Sequence, residues 1–203
     1  MSETVQVKVG ETVPDFEMEI FDPLKNDFGK ISLAALKRDK KWTILFFYPA
    51  DYTFICPTEL KDVADRYDEI KKTGAELVSV STDTKFVHMA WKREEKLLSG
   101  VRYPMAADAT GKVSRLFGVY DENTGLALRG TFFISPEGKL AGSEISFYNV
   151  GRNGEELLRK IKAHVYVANH PEEVCPAGWS EGKKTLKPGA NLVGRVAEAV
   201  GAR

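Results

Sequence analysis

Trp42-Thr43-Ile44-Leu45-Phe46-Phe47-Tyr48 is an unbroken apolar, aromatic and β-branched run, opened by Lys40-Lys41 and closed by Pro49. A half-exposed strand would carry a polar residue at every second position, so this run predicts a strand buried on both faces. From Leu60 the spacing becomes helical. Val63, Ala64, Tyr67 and Ile70 recur with Lys61, Asp62, Asp65, Arg66, Asp68 and Glu69 between them, which predicts one amphipathic helix ended by Gly74. Residues 76–81 form the next strand-like run, and Phe86, Met89, Ala90, Arg93 and Leu97 lie along a following helix. The β-α-β-α order predicts parallel strands with right-handed crossovers. A short helix is expected over 112–117. Residues 127–135 and 139–148, joined by Pro136-Glu137-Gly138, predict an antiparallel hairpin. Leu157, Leu158, Ile161, Val165 and Ala168 stand at helical spacing over 154–169. The stretch 13–36 fits strand, hairpin and loop equally. Beyond His170-Pro171 the chain is rich in Gly, Pro, Lys and Glu, so an α/β domain over 1–170 and a C-terminal arm over 171–203 are expected.

Composition narrows the partners. With 203 residues, 43% hydrophobic and 29% charged, the chain can bury a substantial core. Lys and Arg total 29, as do Asp and Glu, so there is no basic footprint for nucleic acid or anionic lipid. A small, uncharged or varied substrate fits better. The leading Met1 to Lys8 shows no basic region followed by an apolar one. No segment approaches eighteen uninterrupted apolar residues, and a cytoplasmic protein without a membrane partner is expected. Two cysteines are too few for a disulfide-stapled scaffold, which leaves burial or reactivity.

The surroundings of Cys56 favour reactivity. Pro49-Ala50-Asp51-Tyr52-Thr53-Phe54-Ile55-Cys56-Pro57-Thr58-Glu59 lies between a buried strand and an amphipathic helix, placing Cys56 in the first helical turn. Unpaired N–H groups and the positive end of the helix dipole favour a thiolate there, and such sites take a cysteine from about 8.5 into roughly 3.5–7.5. Pro57 has no N–H to lose and suits a helix start. Reduction of a peroxide needs donors aimed at both oxygens while one leaves with negative charge. The Thr53 hydroxyl, held by the Pro49 turn, is one candidate. Arg129 is another: it is a charge in the apolar run 127–134, expected to reach the same end of the sheet through a parallel neighbour. Glu59, in the opening turn, can orient an incoming arginine.

Pro49-x-x-x-Thr53-x-x-Cys56 resembles the active-site signature of peroxiredoxins, and Val174-Cys175-Pro176-Ala177-Gly178-Trp179 resembles the resolving-cysteine segment of the typical two-cysteine class. The likeness extends through Tyr48-Pro49-Ala50-Asp51, Val80-Ser81-Thr82-Asp83-Thr84, Gly151-Arg152, Tyr166-Val167-Ala168-Asn169-His170-Pro171 and Asn191-Leu192-Val193-Gly194, covering nearly the whole chain, and is strongest to the alkyl hydroperoxide reductase C group. The resemblance implies a thioredoxin-like fold and a thiol peroxidase in which Cys56 becomes a sulfenic acid, then a disulfide with Cys175 of a partner subunit. It also implies that Thr53 and Arg129 contact the peroxide, that Pro49 shields the sulfenic acid and that Glu59 with Arg152 supports the site. Further implications are a hydroperoxide substrate, a thioredoxin-like or flavoprotein disulfide reductase as electron donor, and a homodimer assembling to a decamer. No bound cofactor is needed for the peroxidatic step. Turnover implies local unfolding of the first helical turn and of the arm. The Gly-Gly-Leu-Gly loop and terminal Tyr-Phe pair of overoxidation-sensitive relatives are replaced by Glu94-Glu95-Lys96-Leu97-Leu98-Ser99-Gly100 and Val193-Gly194-Arg195-Val196-Ala197-Glu198-Ala199-Val200, so resistance to overoxidation is expected.

Other readings compete. Cys56 alone could be a structural cysteine, Cys175 an incidental exposed thiol, Arg129 a carboxylate bridge, Arg152 a structural charge and Glu59 a simple N-terminal helix carboxylate. Trp91 is expected near the site without a chemical role. His88, His164 and His170 are expected on the surface or in packing, without metal-ligand spacing. No local base supports a cysteine–histidine hydrolase. A dithiol oxidoreductase would need Cys-x-x-Cys, but position 59 is Glu59. A non-enzymatic binding protein whose thiols only report oxidation is the second alternative class.

Overall fold

The computed structural model describes residues 6–201, so Met1 to Val5 of the leading segment lie outside the described residues. The chain forms two compact units, 1–154 and 155–203. In the first, the described elements run β1 (Glu17–Asp22), β2 (Asp27–Ser32), α1 (Leu33–Arg38), β3 (Trp42–Phe47), α2 (Cys56–Asp65), α3 (Tyr67–Lys72), β4 (Ala75–Ser81), α4 (Lys85–Glu94), β5 (Met105–Ala107), α5 (Lys112–Leu116), β6 (Tyr120–Asp121), β7 (Leu126–Ala127), β8 (Arg129–Ile134) and β9 (Leu140–Ser146). Seven strands make one mixed sheet in the order β2-β1-β5-β4-β3-β8-β9, and β6 with β7 makes a separate ribbon. The undecided stretch 13–36 is a hairpin followed by a short helix, whose N-cap Ser32 hydroxyl accepts from the Ala35 N–H.

β3 is buried at every residue because it lies inside the sheet, parallel to β4 and antiparallel to β8. Its side chains alternate between the two faces. Leu45 and Phe47 enter a core with Val78, Val80, Phe117 and Phe132, where the rings of Phe47, Phe117 and Phe132 lie 4.7–5.7 Å apart. The parallel crossover expected from 42–81 is present, and β5 continues it. β8 departs from the expectation: it is antiparallel to β3, with Phe46 opposite Thr131. That antiparallel register is what brings Arg129, the first residue of β8, level with the C-terminal end of β3. The expected hairpin is β8 and β9, turned through Gly138 at φ 86°.

Two helical expectations are also corrected. The single helix expected from Leu60 to Gly74 breaks at Arg66, whose guanidinium takes the Asp62 carbonyl at 2.8 Å and its carboxylate, while its own N–H turns to Val63. In α4 the buried residues are His88 and Trp91; Phe86 is 58% exposed against Phe28, and Leu97 falls in a separate 3-10 turn over Lys96–Gly100.

In the second unit α6 (Gly154–Asn169) has the expected bounds, and α7 (Val196–Val200) ends the described chain. The segment after α6 is folded by its own contacts. Val174 and Leu186 exchange backbone hydrogen bonds, Arg159 donates to the Trp179 carbonyl at 2.7 Å, and the Tyr166 ring packs on Trp179. Among the described residues no helix is long and apolar enough to cross a membrane.

Leu45→Ala removes a fully buried side chain from the sheet interior. The expected cost is about 2–5 kcal/mol, measured as a lowered midpoint in urea unfolding with an unchanged slope.

Candidate active site

β3 ends at Phe47, Tyr48 and Pro49 remain buried, and the chain then turns through Ala50 to Ile55 before α2 starts at Cys56. Cys56 is the first helical residue, with Pro57 next and no side chain capping the N-terminus; the Thr58 and Glu59 N–H groups turn to the Ile55 carbonyl at 3.0 and 3.2 Å, so what the helix start offers the sulfur is the positive end of its dipole. Tyr52 adopts a left-handed conformation at φ 55°, which lets the loop reverse before Thr53. The Thr53 hydroxyl donates to the Ala50 carbonyl at 2.8 Å. Its single hydrogen is therefore engaged, and the oxygen presents lone pairs.

Cys56 is completely buried. The Arg129 Nη1 donates to its Sγ at 3.4 Å and to Glu59 Oε2 at 2.5 Å, while Nε donates to the Tyr148 carbonyl at 2.8 Å. Arg152 reaches the same carboxylate from the other side. Its backbone N–H and Nε donate to Glu59 Oε1 at 2.7 and 2.9 Å. Its remaining donors hold the Phe47 and Gly130 carbonyls, each at 2.8 Å, and the guanidinium lies 3.5 Å over the Phe46 ring. The side chains of Glu59, Arg129 and Arg152 are all at most 4% exposed. Burial pulls Arg152 below its ordinary value, and the bonds to Glu59 oppose that pull. Gly151 packs closely here: a Cβ would stand 3.1 Å from the Ile55 side chain, which would have to shift, and in ordinary contact with Glu59 at 3.5 Å. The structure thus brings Cys56, Glu59, Arg129 and Arg152 together, with Pro49 and Thr53 on the loop that leads into α2. Glu59 is a bridge between two arginines rather than a simple helix-end carboxylate.

Trp91 is buried beside this loop, its ring 6.1 Å from those of Tyr48 and Tyr52. A cavity of about 280 Å³ is lined by Tyr52, Thr53, Phe54, Trp91, Glu94 and Glu95. A second polar cluster, without a local sequence signal, lies beneath the loop. His88 is fully buried with Nδ1 2.7 Å from Asp51 Oδ2, and the Tyr48 hydroxyl donates to Asp51 Oδ1 at 2.6 Å. Burial pushes the Asp51 carboxyl up, against the bonds from His88 and Tyr48 that pull it down. The spacing Tyr48-x-x-Asp51 was visible, but its histidine partner lies 37 residues away and carries no local signal.

Cys175 belongs to the second unit and is partly exposed, next to the Val174–Leu186 bridge. Burial raises its thiol; Arg159 opposes that shift and Glu173 adds to it.

Residues 9–143 match the AhpC/TSA family, and residues 166–196 match the C-terminal domain of 1-Cys peroxiredoxin. The chain therefore belongs to the AhpC/TSA family and is a peroxiredoxin, a thiol-dependent peroxidase with the thioredoxin-like fold. It is 45% identical to alkyl hydroperoxide reductase C of Staphylococcus aureus over 93% of this chain and 98% of that protein. The crystal structure of Enterococcus faecalis AhpC matches with a TM-score of 0.78 and 40% identity, covering 83% of this chain and 98% of that one. The reduced 2-Cys peroxiredoxin of Plasmodium vivax matches with a TM-score of 0.85 and 30% identity, covering 92% and 98%.

Glu59→Leu leaves two buried guanidinium groups without their carboxylate. A loss of about 3–5 kcal/mol of stability is expected in denaturant unfolding. Glu59→Gln, which keeps the acceptor oxygen, should lose less.

Proposed function

We propose that Cys56 is the peroxidatic residue and that it reduces hydrogen peroxide and organic hydroperoxides in an antioxidant role. The observation that carries this reading is the Arg129 guanidinium held between Glu59 and the Cys56 sulfur. In the first step the Cys56 thiolate attacks one peroxide oxygen, the O–O bond breaks, and the alkoxide or hydroxide leaves and takes a proton. Arg129 offers positive charge to the sulfur and to the oxygen that gains charge. Thr53, with its own hydrogen on Ala50, accepts the O–H of the incoming peroxide and fixes its direction. Pro49 closes the wall over the resulting sulfenic acid, and Glu59 with Arg152 keeps Arg129 in place.

In the second step the thiolate of Cys175 from a partner subunit attacks the Cys56 sulfur, the S–S bond forms as the S–O bond breaks, and the hydroxide leaves, taking a proton from solvent to become water. Buried Cys56 must leave its pocket for this, so the first turn of α2 and the arm over 171–203 open locally. A thioredoxin-like protein or a flavoprotein disulfide reductase then returns the disulfide to two thiols. The assembly is a homodimer built further into a decamer, working in the cytoplasm. Because the devices of overoxidation-sensitive relatives are replaced at 94–100 and 193–200, disulfide formation outruns a second oxidation of Cys56.

One equivalent of hydrogen peroxide should convert the wild type to a covalent dimer on a non-reducing gel, with a Cys56–Cys175 link by mass spectrometry. Cys175→Ser should stop at oxidised Cys56, and Cys56→Ser should stay unreacted. A Cys56 that remains a thiol would overturn the reading in favour of a binding protein. The disulfide-forming phase supplies a pH test. Since the Cys175 thiol is raised, its thiolate fraction is small at neutral pH and grows about tenfold per pH unit. The rate should climb from pH 6 to 8 in stopped-flow measurements, and a flat profile would show that opening of the arm sets the rate instead.

A further inference from the structure

We infer that the buried Asp51–His88 pair is a positioning device for Thr53, and so a determinant of the peroxide step that lies outside the catalytic residues. The inference rests on the reading of Thr53 and Cys56 given above.

The pair sits directly under the loop. Asp51 is 6% exposed and His88 is fully buried. Every polar atom of the two side chains faces a partner from a different element. From the end of β3, the Tyr48 hydroxyl donates to Asp51 Oδ1 at 2.6 Å and stands 3.4 Å from His88 Nδ1. From α4, His88 Nδ1 meets Asp51 Oδ2 at 2.7 Å. From the β5 strand, the Ala106 carbonyl lies 3.1 Å from His88 Nε2. Just past β4, Asp83 Oδ2 accepts the Asp51 backbone N–H at 2.9 Å and the Ser81 hydroxyl at 2.7 Å.

Hydrogen counting defines what the pair must contain. A carbonyl can only accept, so Nε2 carries a hydrogen. Nδ1 faces a carboxylate, so one more hydrogen lies between Nδ1 and Oδ2, on whichever atom holds it. Together the pair carries one proton more than a neutral imidazole and a carboxylate. With that proton in place all its hydrogen bonds are made, and such a fully satisfied buried network fixes its members to one geometry.

That geometry is transmitted over a very short path. Asp51 is anchored at its side chain and at its N–H, and Tyr48 is anchored to Asp51, so the two residues between them, Pro49 and Ala50, are clamped at both ends. The Ala50 carbonyl is the acceptor that orients the Thr53 hydroxyl. Tyr52, between Asp51 and Thr53, must hold the left-handed φ of 55°, which its backbone does not favour in isolation. Its ring lies tilted beside Trp91 of α4, centroids 6.1 Å apart, on the helix that also carries His88, and its hydroxyl donates to Glu94 of that helix at 2.9 Å. Neither Asp51 nor His88 has a hydrogen bond to Cys56, Arg129 or Glu59, whose arrangement is set by the separate arginine cluster. The pair therefore acts on the direction of the Thr53 oxygen and leaves the sulfur's surroundings alone.

The test compares two second-order rate constants on full-length protein: reaction of Cys56 with hydrogen peroxide, and alkylation of Cys56 by iodoacetamide, which needs no Thr53. Cys175→Ser is the common background, so that each trace reports Cys56. His88→Leu and Asp51→Leu should lower the peroxide constant about 10- to 100-fold, the scale of a misplacement near 1 Å, with alkylation within about twofold of the parent. Asp51→Asn should recover most of the lost rate, because its amide can donate to a neutral imidazole and its oxygen can still accept from Tyr48. In a Thr53→Val background, His88→Leu should add little further loss. Equal losses in both reactions, additive losses with Thr53→Val, or an Asp51→Asn as slow as Asp51→Leu would each overturn the inference. Should the leucine variants fail to fold by circular dichroism, Tyr48→Phe deletes one hydroxyl and should give a smaller loss of the same selective kind; unchanged peroxide reactivity there would overturn it equally. A parent whose Cys56 alkylates but ignores peroxide would refute the peroxidatic reading itself, a result separable from all of these.

Discussion

A single carboxylate, Glu59, holds the site together by accepting hydrogen bonds from two buried arginines. Arginine keeps its charge under all ordinary conditions, so neither guanidinium can escape burial by losing a proton. Each must be met by acceptors. Glu59 supplies two oxygens, and the carbonyls of Phe47, Gly130 and Tyr148, the Thr131 hydroxyl and the Cys56 sulfur supply further acceptors. The result ties the first turn of α2 to the end of β3, the start of β8 and the segment after β9. Within the trio two positive charges face one negative charge, and the arginine that also touches Cys56 is one of the two. A reaction that develops negative charge on sulfur and then on oxygen is what such an excess favours.

Sheet topology decides why those groups meet. β3 and β8 are antiparallel neighbours, so the end of one lies beside the start of the other. The loop after β3 and the first residue of β8 consequently share one end of the sheet's strands, and the chain returning from β9 brings Arg152 to it. The core on the opposite face, with Phe47, Phe117 and Phe132 in mutual contact, fixes the strands on which this depends. Core packing and site geometry are two faces of the same strand: Phe47 packs into that core while its neighbour Phe46 lies under the Arg152 guanidinium.

Two polar clusters flank the loop that carries Thr53. The arginine cluster meets the sulfur through Arg129, and the Asp51–His88 cluster bonds to the start of the loop at Tyr48 and Asp51. The two clusters share no hydrogen bond: Glu59, Arg129 and Arg152 bond among themselves and to Cys56, and Asp51 and His88 bond to each other, Tyr48, Asp83 and Ala106. Cys175 stands in a different setting, on a segment folded by the Arg159–Trp179 and Val174–Leu186 contacts of its own unit. Trp179 is buried there, and Glu173 accepts from the Tyr166 and Thr185 hydroxyls.

Much was legible in the sequence because the signals were local. The run Trp42 to Tyr48 could only be an internal strand, the 154–169 periodicity gave α6 its bounds, and the Thr53-x-x-Cys56 spacing marked the start of a helix as a place for chemistry. The pairing of Glu59 with arginines was legible through resemblance, though not the number of carbonyls they hold. What escaped was set by contacts far apart in the chain. The direction of β8 depends on which neighbour it hydrogen-bonds, and an isolated apolar run reads the same in either direction. The break at Arg66 depends on a side chain capturing a carbonyl, against a hydrophobic periodicity that runs on unbroken. His88 looked like an ordinary helix residue until the fold placed it against Asp51. The sequence by itself determined which residues were chemically able to act; the tertiary structure alone decided which of them meet, because a buried charge or polar group takes its partner from whatever element the topology lays beside it.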